Sequence, residues 1–425
     1  MKIDPYRIFL FLGTVWGLTF VLFMVDTNLS DPNKFVGSDY VSNFYVAGYL
    51  VATGQASVLY PTPNDVSLAQ SSFNQAAHLL LPHLSQNTIS LFGYSPLLPW
   101  IFFQPLSQFS PHISLLVWQV ISIVALIFSA LFLSRASKVK PSDILFLSSL
   151  FLPIIATLWS GQLSLVVGLF PLSAGYLLLR TNHPALAGFV WSFLILKPQF
   201  LPVAAFVSFA LALAGRFECV GALALGVVGI IAANLIVVPV AVNMNWLYSV
   251  RVFEFIFSTG SYEIPTHLLT CLPVNLLLAM PLELRATLKW FIYSAAALLW
   301  LAALWKCKKI AQSNLDESLK LSLILTVGIF LLPLTSPRLL YYDLCLFLPA
   351  GVILLGNDRL GSESLPLKRL ALTAWISISV YMLVFMNVAA RVELPLMLEL
   401  ILLVLFADLL RRMDRIRVVT QDARL

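Results

Sequence analysis

The sequence predicts an all-α, polytopic integral membrane protein, and three observations lead there. Hydrophobic residues fill 60% of the 425 positions and charged residues only 11%, whereas soluble domains are roughly 25% charged. Apolar runs of near-spanning length recur from residue 8 to residue 410, and roughly 20 such residues cross the hydrocarbon of a bilayer. Runs such as Ile144–Ile155 and Gly221–Val238 are apolar almost throughout rather than alternating. Lipid offers backbone groups no partners, so these runs must pair their own N–H and C=O groups as helices.

Taken in order, the predicted spans are 8–25, 110–134, 142–158, 162–179, 184–197, 199–214, 218–239, 287–305, 319–334, 340–356, 368–388 and 394–410, within one membrane domain covering residues 1–425. The first run has the length of a secretory signal. It leads into Asp26-Thr27-Asn28 with no small-residue cleavage site, so a retained helix is expected. Twelve spans put both termini on one side. With that side cytoplasmic, only Lys34, Lys197, Arg251, Arg285, Lys289, Arg338 and Arg391 of the 26 basic residues fall outside, as the positive-inside rule requires.

Two long segments then face the exterior, 26–109 and 240–286. In the first, Tyr40, Phe44, Ala47 and Val51 form one helical stripe ending at Gly54, the pattern of an amphipathic helix resting at the interface. Val66–Leu81 is a second helical candidate, stopped by Pro82. Tyr94–Ser107 is apolar but holds Pro96, Pro99 and Pro105, which predicts a short, broken, partly inserted helix. In the second segment, Trp246–Phe257 reads as another interfacial helix, Ser258–Ser261 as a turn, and Thr266–Met280 as a short insertion.

A few polar residues in this apolar background need a reason. Asp39 opens the Tyr40–Thr53 helix, with Ser38 before it. One reading is an N-cap. The other is a general base at the membrane surface, with its pKa raised by partial burial. Lys197, in Lys197-Pro198-Gln199, is either a snorkelling interfacial cation or a phosphate contact. Arg338 suits bidentate phosphate recognition, with topology or capping as the rival role, and nearby Asp343 reads as the partner of a cation. Gln162 either hydrogen-bonds a ligand hydroxyl or ties helices together. Asn234 reads as a helix contact, and Glu399 as an intramembrane ionisable group that takes a functional label by default. Neither the five His nor the four Cys have metal-ligand spacing, and no paired carboxylates flank Asp39, so no metal and no cofactor is expected. Nucleic acid is not an expected partner, because the +6 charge is spent on topology.

The pattern resembles the GT-C membrane glycosyltransferases that use polyprenyl-phosphate sugars, specifically the glycosyltransferase family 87 (DUF2029) type, which includes mycobacterial phosphatidylinositol mannoside mannosyltransferases. The marks are Gly37–Pro61 around Asp39-Tyr40, Tyr94-Ser95-Pro96-Leu97, Gly161-Gln162, Lys197-Pro198-Gln199, and Ser336-Pro337-Arg338 followed by Tyr341-Tyr342-Asp343. Family members commonly carry Pro where this chain has Ser95. The resemblance implies a GT-C-like fold in a bacterial cell membrane, with the active site on the exterior face. It implies transfer of a sugar, mannose among the candidates, from a polyprenyl-phosphate donor to a glycolipid or glycan acceptor with inversion. Asp39 would be the base, and Lys197 and Arg338 would contact the donor phosphate. Tyr40, Phe44, Tyr45, Tyr94, Gln162, Gln199 and Tyr342 would line the substrates. Two rivals stand beside it. A secondary transporter would show paired half-repeats and a midplane cavity. A non-catalytic factor binding lipid-linked glycans would need no base.

Overall fold

The computed structural model describes residues 5–62, 65, 67–259, 268–356, 364–387 and 393–422. His267, Arg391 and part of the predicted 258–261 turn lie outside them. The chain enters as α1 (Pro5–Ser30) and builds a block from α2 (Val46–Ala52), α3 (Ser72–Leu80) and α4 (Gln104–Leu106) before α5 (Pro111–Ser137). It continues through α6 (Pro141–Leu150), α7 (Leu152–Ser160), α8 (Phe170–Arg180), α9 (Pro184–Ser192) and α10 (Leu201–Ala212). Then come α11 (Glu218–Val237), α12 (Val240–Thr259), α13 (Leu272–Leu278) and α14 (Leu282–Ala311). The last are α15 (Glu317–Thr335), α16 (Phe347–Leu355), α17 (Ser364–Asn387) and α18 (Glu393–Asp422). The protein is all-α and multi-pass. Among the described residues the extended contact outside helices is an antiparallel bridge between Leu269 and Leu340.

Among the described residues six helices are long and apolar enough to cross a membrane, or seven if α6 and α7, bent by 75°, count as one. The sequence predicts twelve. The difference lies partly in four shorter apolar helices, Ser164–Arg180, Pro184–Leu196, Pro198–Ala212 and Tyr341–Leu355. At a rise of about 1.5 Å per residue they reach at most about 25 Å, short of the roughly 30 Å hydrocarbon. It lies also in α18, whose apolar stretch includes Glu399 and Asp408. The short helices break near Ser164, Lys197 and Tyr341, and those breaks meet one another, since Ser164 and Lys197 both hydrogen-bond Asp343. Two of them lead at their other ends to basic residues: Arg180 closes the first and donates to Ser318 O at 3.2 Å, and Arg216, just past Ala212, pairs with Glu317. Apolar side chains cover the outside, among them Leu225 and Ile236 of α11 and Trp290 and Phe291 of α14, as a lipid-facing surface requires.

The predicted interfacial helix differs from its expectation. Residues Tyr40–Tyr45 form a π-helical turn that runs into α2. The predicted stripe is buried, but so are Val41, Tyr45, Val46 and Leu50, so the segment lies inside the protein instead of resting on a bilayer. Its cover is the predicted broken helix: Leu97 and Leu98 begin it, Pro99–Phe103 is a π-helical turn, and α4 completes it. The two segments touch so closely that a Cβ at Gly48 would lie 2.3 Å from Phe103 O. Trp246–Phe257 falls within the longer α12, and the Val66–Leu81 candidate narrows to α3, capped by Ser71 Oγ, which accepts from Asn74 N–H.

Candidate active site

Ser38 frees Asp39. Ser38 Oγ accepts from Val41 N–H at 3.3 Å, and Ser38 O accepts from Ser42 N–H, so Ser38 caps the turn. Asp39 has helical φ and ψ and makes no capping bond. Its half-buried carboxylate instead accepts from Gln162 Nε2 through Oδ2 at 2.6 Å. Oδ1 has no hydrogen-bond partner among the described residues. Burial holds the Asp39 carboxyl above its ordinary value of 3.8; the Gln162 hydrogen bond and the Lys197 charge pull it back down, while the Asp343 charge adds to the rise.

Gln162 is positioned by the end of α7. Gly161 adopts a left-handed φ of +68°, and its N–H bonds Leu158 O while Gln162 N–H bonds Thr157 O at 2.9 Å, a Schellman closure. The amide orientation follows from its neighbours. Gln162 Oε1 is reached by Tyr94 OH and Leu163 N–H, each at a long 3.4 Å, which leaves Nε2 for the carboxylate. A Cβ at Gly161 would lie 2.5 Å from Tyr40 Cβ. Gly161→Ala is therefore expected to cost roughly 1–3 kcal/mol from left-handed backbone strain and crowding. Thermal melts in detergent would read this, and an unchanged midpoint would mean that the turn tolerates a side chain.

Tyr40 and Phe44 are wholly buried and Tyr45 nearly so. Tyr40 stacks on Trp118 at 6.0 Å and its hydroxyl hydrogen-bonds Ser114 Oγ at 2.7 Å. Tyr45 donates to Phe109 O. Phe44 stacks on Phe103 at 5.1 Å and meets Tyr94 at 5.2 Å. These rings pack against one another and against Trp118, Phe103 and Tyr94 beside Asp39.

A second group adjoins Asp39. Pro198 keeps Lys197 out of helical backbone, at φ −124° and ψ 86°. The ammonium pairs with Asp343, and neither side chain has exposed surface. Lys197 Nζ also donates to Ser164 Oγ at 2.9 Å, and Ser164 Oγ donates to Asp343 Oδ1 at 2.7 Å. Asp343 Oδ2 accepts from Leu340 N–H at 3.1 Å. The rings of Phe200, Tyr342 and Tyr94 lie 4.8, 4.9 and 5.6 Å from Nζ. An ammonium has three N–H groups, so two are committed. Gln199 is half-buried, with no hydrogen-bond partner among the described residues.

The Arg338 guanidinium lies over the Phe253 ring at 5.2 Å, with Nη1 beside Gly93, the residue before Tyr94, whose ring lies 5.6 Å from Lys197 Nζ. Sequence reasoning gave Asp343 a partner without identifying it, and it missed Ser164 altogether. One serine in an apolar helix gives no signal, whereas an aspartate beside a helix break in an apolar run does. Tyr341, also missed as a site residue, meets the Tyr342 ring edge-on at 5.0 Å and lies within reach of the Asp39 and Asp343 charges.

No curated protein and no solved structure gives a significant match. The sequence profile of glycosyltransferase family 87 matches residues 92–337, more than half the chain. That stretch holds Tyr94, Gln162, Ser164 and Lys197, while Asp39 and Asp343 come to them from either side. The chain belongs to glycosyltransferase family 87.

Proposed function

We propose that the protein transfers a sugar from a polyprenyl-phosphate donor to a hydroxyl of a glycolipid or glycan acceptor, by a single inverting displacement on the non-cytoplasmic face. The observation that carries this reading is the state of Asp39: a carboxylate released from capping, raised in pKa by burial, fixed through one oxygen and, among the described residues, without a hydrogen-bond partner at the other. The acceptor oxygen attacks the anomeric carbon as its proton passes to Asp39 Oδ1. The bond from that carbon to the phosphate oxygen breaks, and polyprenyl phosphate leaves with the electron pair. Arg338 contacts the leaving phosphate, and Lys197 has one N–H left to offer it. Mannose is one candidate sugar, and a bacterial cell membrane with both termini cytoplasmic is the proposed setting. The basic ends of the short helices, at Arg180 and Arg216, support that orientation under the positive-inside rule.

The test is reconstitution with polyprenyl-phosphate-linked radiolabelled mannose and a lipid acceptor extract, with the product anomer read by NMR. Labelled product of inverted configuration is expected. Transfer from a nucleotide sugar in membranes free of polyprenyl phosphate would overturn the donor assignment, and retained configuration would overturn the mechanism. Gln162→Ala removes the hydrogen bond that lowers the Asp39 pKa, so the acid limb of the kcat/KM profile is expected to move to higher pH. An unmoved limb would separate the profile from Asp39.

A further inference from the structure

Beside this site lies a cavity of about 250 Å³, lined by Ser95, Ile195, Asn234, Asn243 and Trp246 together with Ile230, Ile231, Leu235 and Leu247. It sits between α11 and α12, on a side where Ile231, Leu235 and Leu247 are each about half exposed and therefore meet lipid. It is smaller than the roughly 300–1,000 Å³ of sites that enclose a whole small molecule. That size suits one part of an amphiphile whose remainder stays in the bilayer.

The polar groups in this apolar cavity distinguish between possible ligands. Asn243 Nδ2 donates to Val238 O at 3.1 Å, the carbonyl left where Pro239 interrupts the chain between α11 and α12, and more distantly to Pro239 O at 3.4 Å. Asn243 Oδ1 then accepts from Asn234 Nδ2. Turning either amide over would set oxygen against oxygen, so the chain of two fixes both orientations. Among the described residues Asn234 Oδ1 is left buried with no hydrogen-bond partner. A tie between helices accounts for the Nδ2 of Asn234 but not for this oxygen. It needs a hydrogen-bond donor, which a hydroxyl supplies and an ionised phosphodiester does not. Ser95 adds a hydroxyl where the family resemblance leads one to expect Pro. It is the chain neighbour of Tyr94, whose hydroxyl reaches Gln162 and through it Asp39.

We propose that this cavity takes the hydroxylated headgroup and adjoining hydrocarbon of a membrane lipid, and that this lipid is the sugar acceptor. The proposal rests on the glycosyltransferase reading above and narrows its acceptor to a hydroxyl-bearing lipid entering sideways between α11 and α12. A free glycan has no hydrocarbon to fill the apolar lining, and the half-exposed, lipid-facing Ile231, Leu235 and Leu247 open the cavity to the bilayer, from which a lipid enters.

The test uses the full chain in phosphatidylcholine nanodiscs with two probes, a decyl glucoside and a decyl phosphate, each with a diazirine in the alkyl chain. The glucoside is expected to label peptides of α11 and α12, at least fivefold less in Ile231→Trp and Leu247→Trp, which fill the cavity from lipid-facing positions without touching the core. Asn234→Leu is expected to lower glucoside labelling to the level of the phosphate. In turnover, Ile231→Trp is expected to raise KM for the lipid acceptor at least fivefold with kcat retained. Equal labelling by both probes, labelling spread evenly over lipid-facing helices, or an unchanged KM in Ile231→Trp would each overturn the proposal. If transfer proceeds but the cavity is not labelled, this inference alone fails. If the cavity is labelled specifically but no lipid-linked sugar is transferred, the enzyme reading falls and the acceptor role with it.

Discussion

Replacing Asp39 with Asn is expected to abolish sugar transfer while leaving the protein as stable as the wild type, or more so. A positioned general base contributes typically about 10²–10⁴-fold to rate, and an amide cannot accept the acceptor's proton. Stability runs the other way. Burial keeps the Asp39 carboxyl above its ordinary value of 3.8, so between that value and the raised one the folded protein binds more protons than the unfolded chain. Stability therefore falls as pH rises through this window. Asn has no charge to desolvate, and its side-chain oxygen can still accept from Gln162 Nε2. Rates with labelled lipid-linked sugar, beside melts at about pH 5 and about pH 8, would read both effects. Wild-type transfer by Asp39→Asn would remove Asp39 from the mechanism. A melt lowered by several degrees would make it a structural residue, as the rival capping role would have it. The structure gives that role to Ser38.

What could be read in advance was whatever rests on composition or on local breaks. The apolar runs gave the all-helical membrane class, and the prolines at 96, 99 and 105 gave a broken segment that does become the short helix beginning at Leu97. Pro198 marked the interruption that holds Lys197 out of a helix. Hydropathy counts apolar residues but not where a helix bends or stops, and so it cannot separate a full crossing from the bent pair α6–α7 or from a helix ending at the Ser164 break. Pairings across 123 or 146 residues, Asp39 with Gln162 and Lys197 with Asp343, leave no periodic trace. The stripe of Tyr40, Phe44, Ala47 and Val51 was visible, yet one apolar stripe looks the same against lipid as against Phe103 and Trp118. Only the burial of the opposite face, at Val41 and Tyr45, decides between them.

Lys197→Met and Asp343→Asn should each destabilise the protein severely, and the double variant should recover most of the loss. Both side chains are fully buried and paired. Removing one partner from such a pair costs about 3–5 kcal/mol, because the remaining charge stays out of water without compensation, whereas removing both charges is often neutral or stabilising. In Lys197→Met, Asp343 keeps the Leu340 N–H and the Ser164 hydroxyl, but two neutral donors do not replace an ammonium. In Asp343→Asn, the Lys197 ammonium faces Ser164 and three aromatic rings, and cation–π attraction of about 0.5–2 kcal/mol falls short of the lost carboxylate. Asn in the double variant can still accept from Leu340 N–H, and Met fills the volume of the lysine stem. Melts of all four proteins close the cycle, and additive losses would mean that the pair is not coupled. Activity then separates two roles for Lys197. If the pair only holds the broken helix ends at Ser164, Lys197 and Asp343 together, the double variant regains transfer along with its stability. If the third N–H of Lys197 also meets the donor phosphate, the double variant folds and stays slow, with KM for the donor raised.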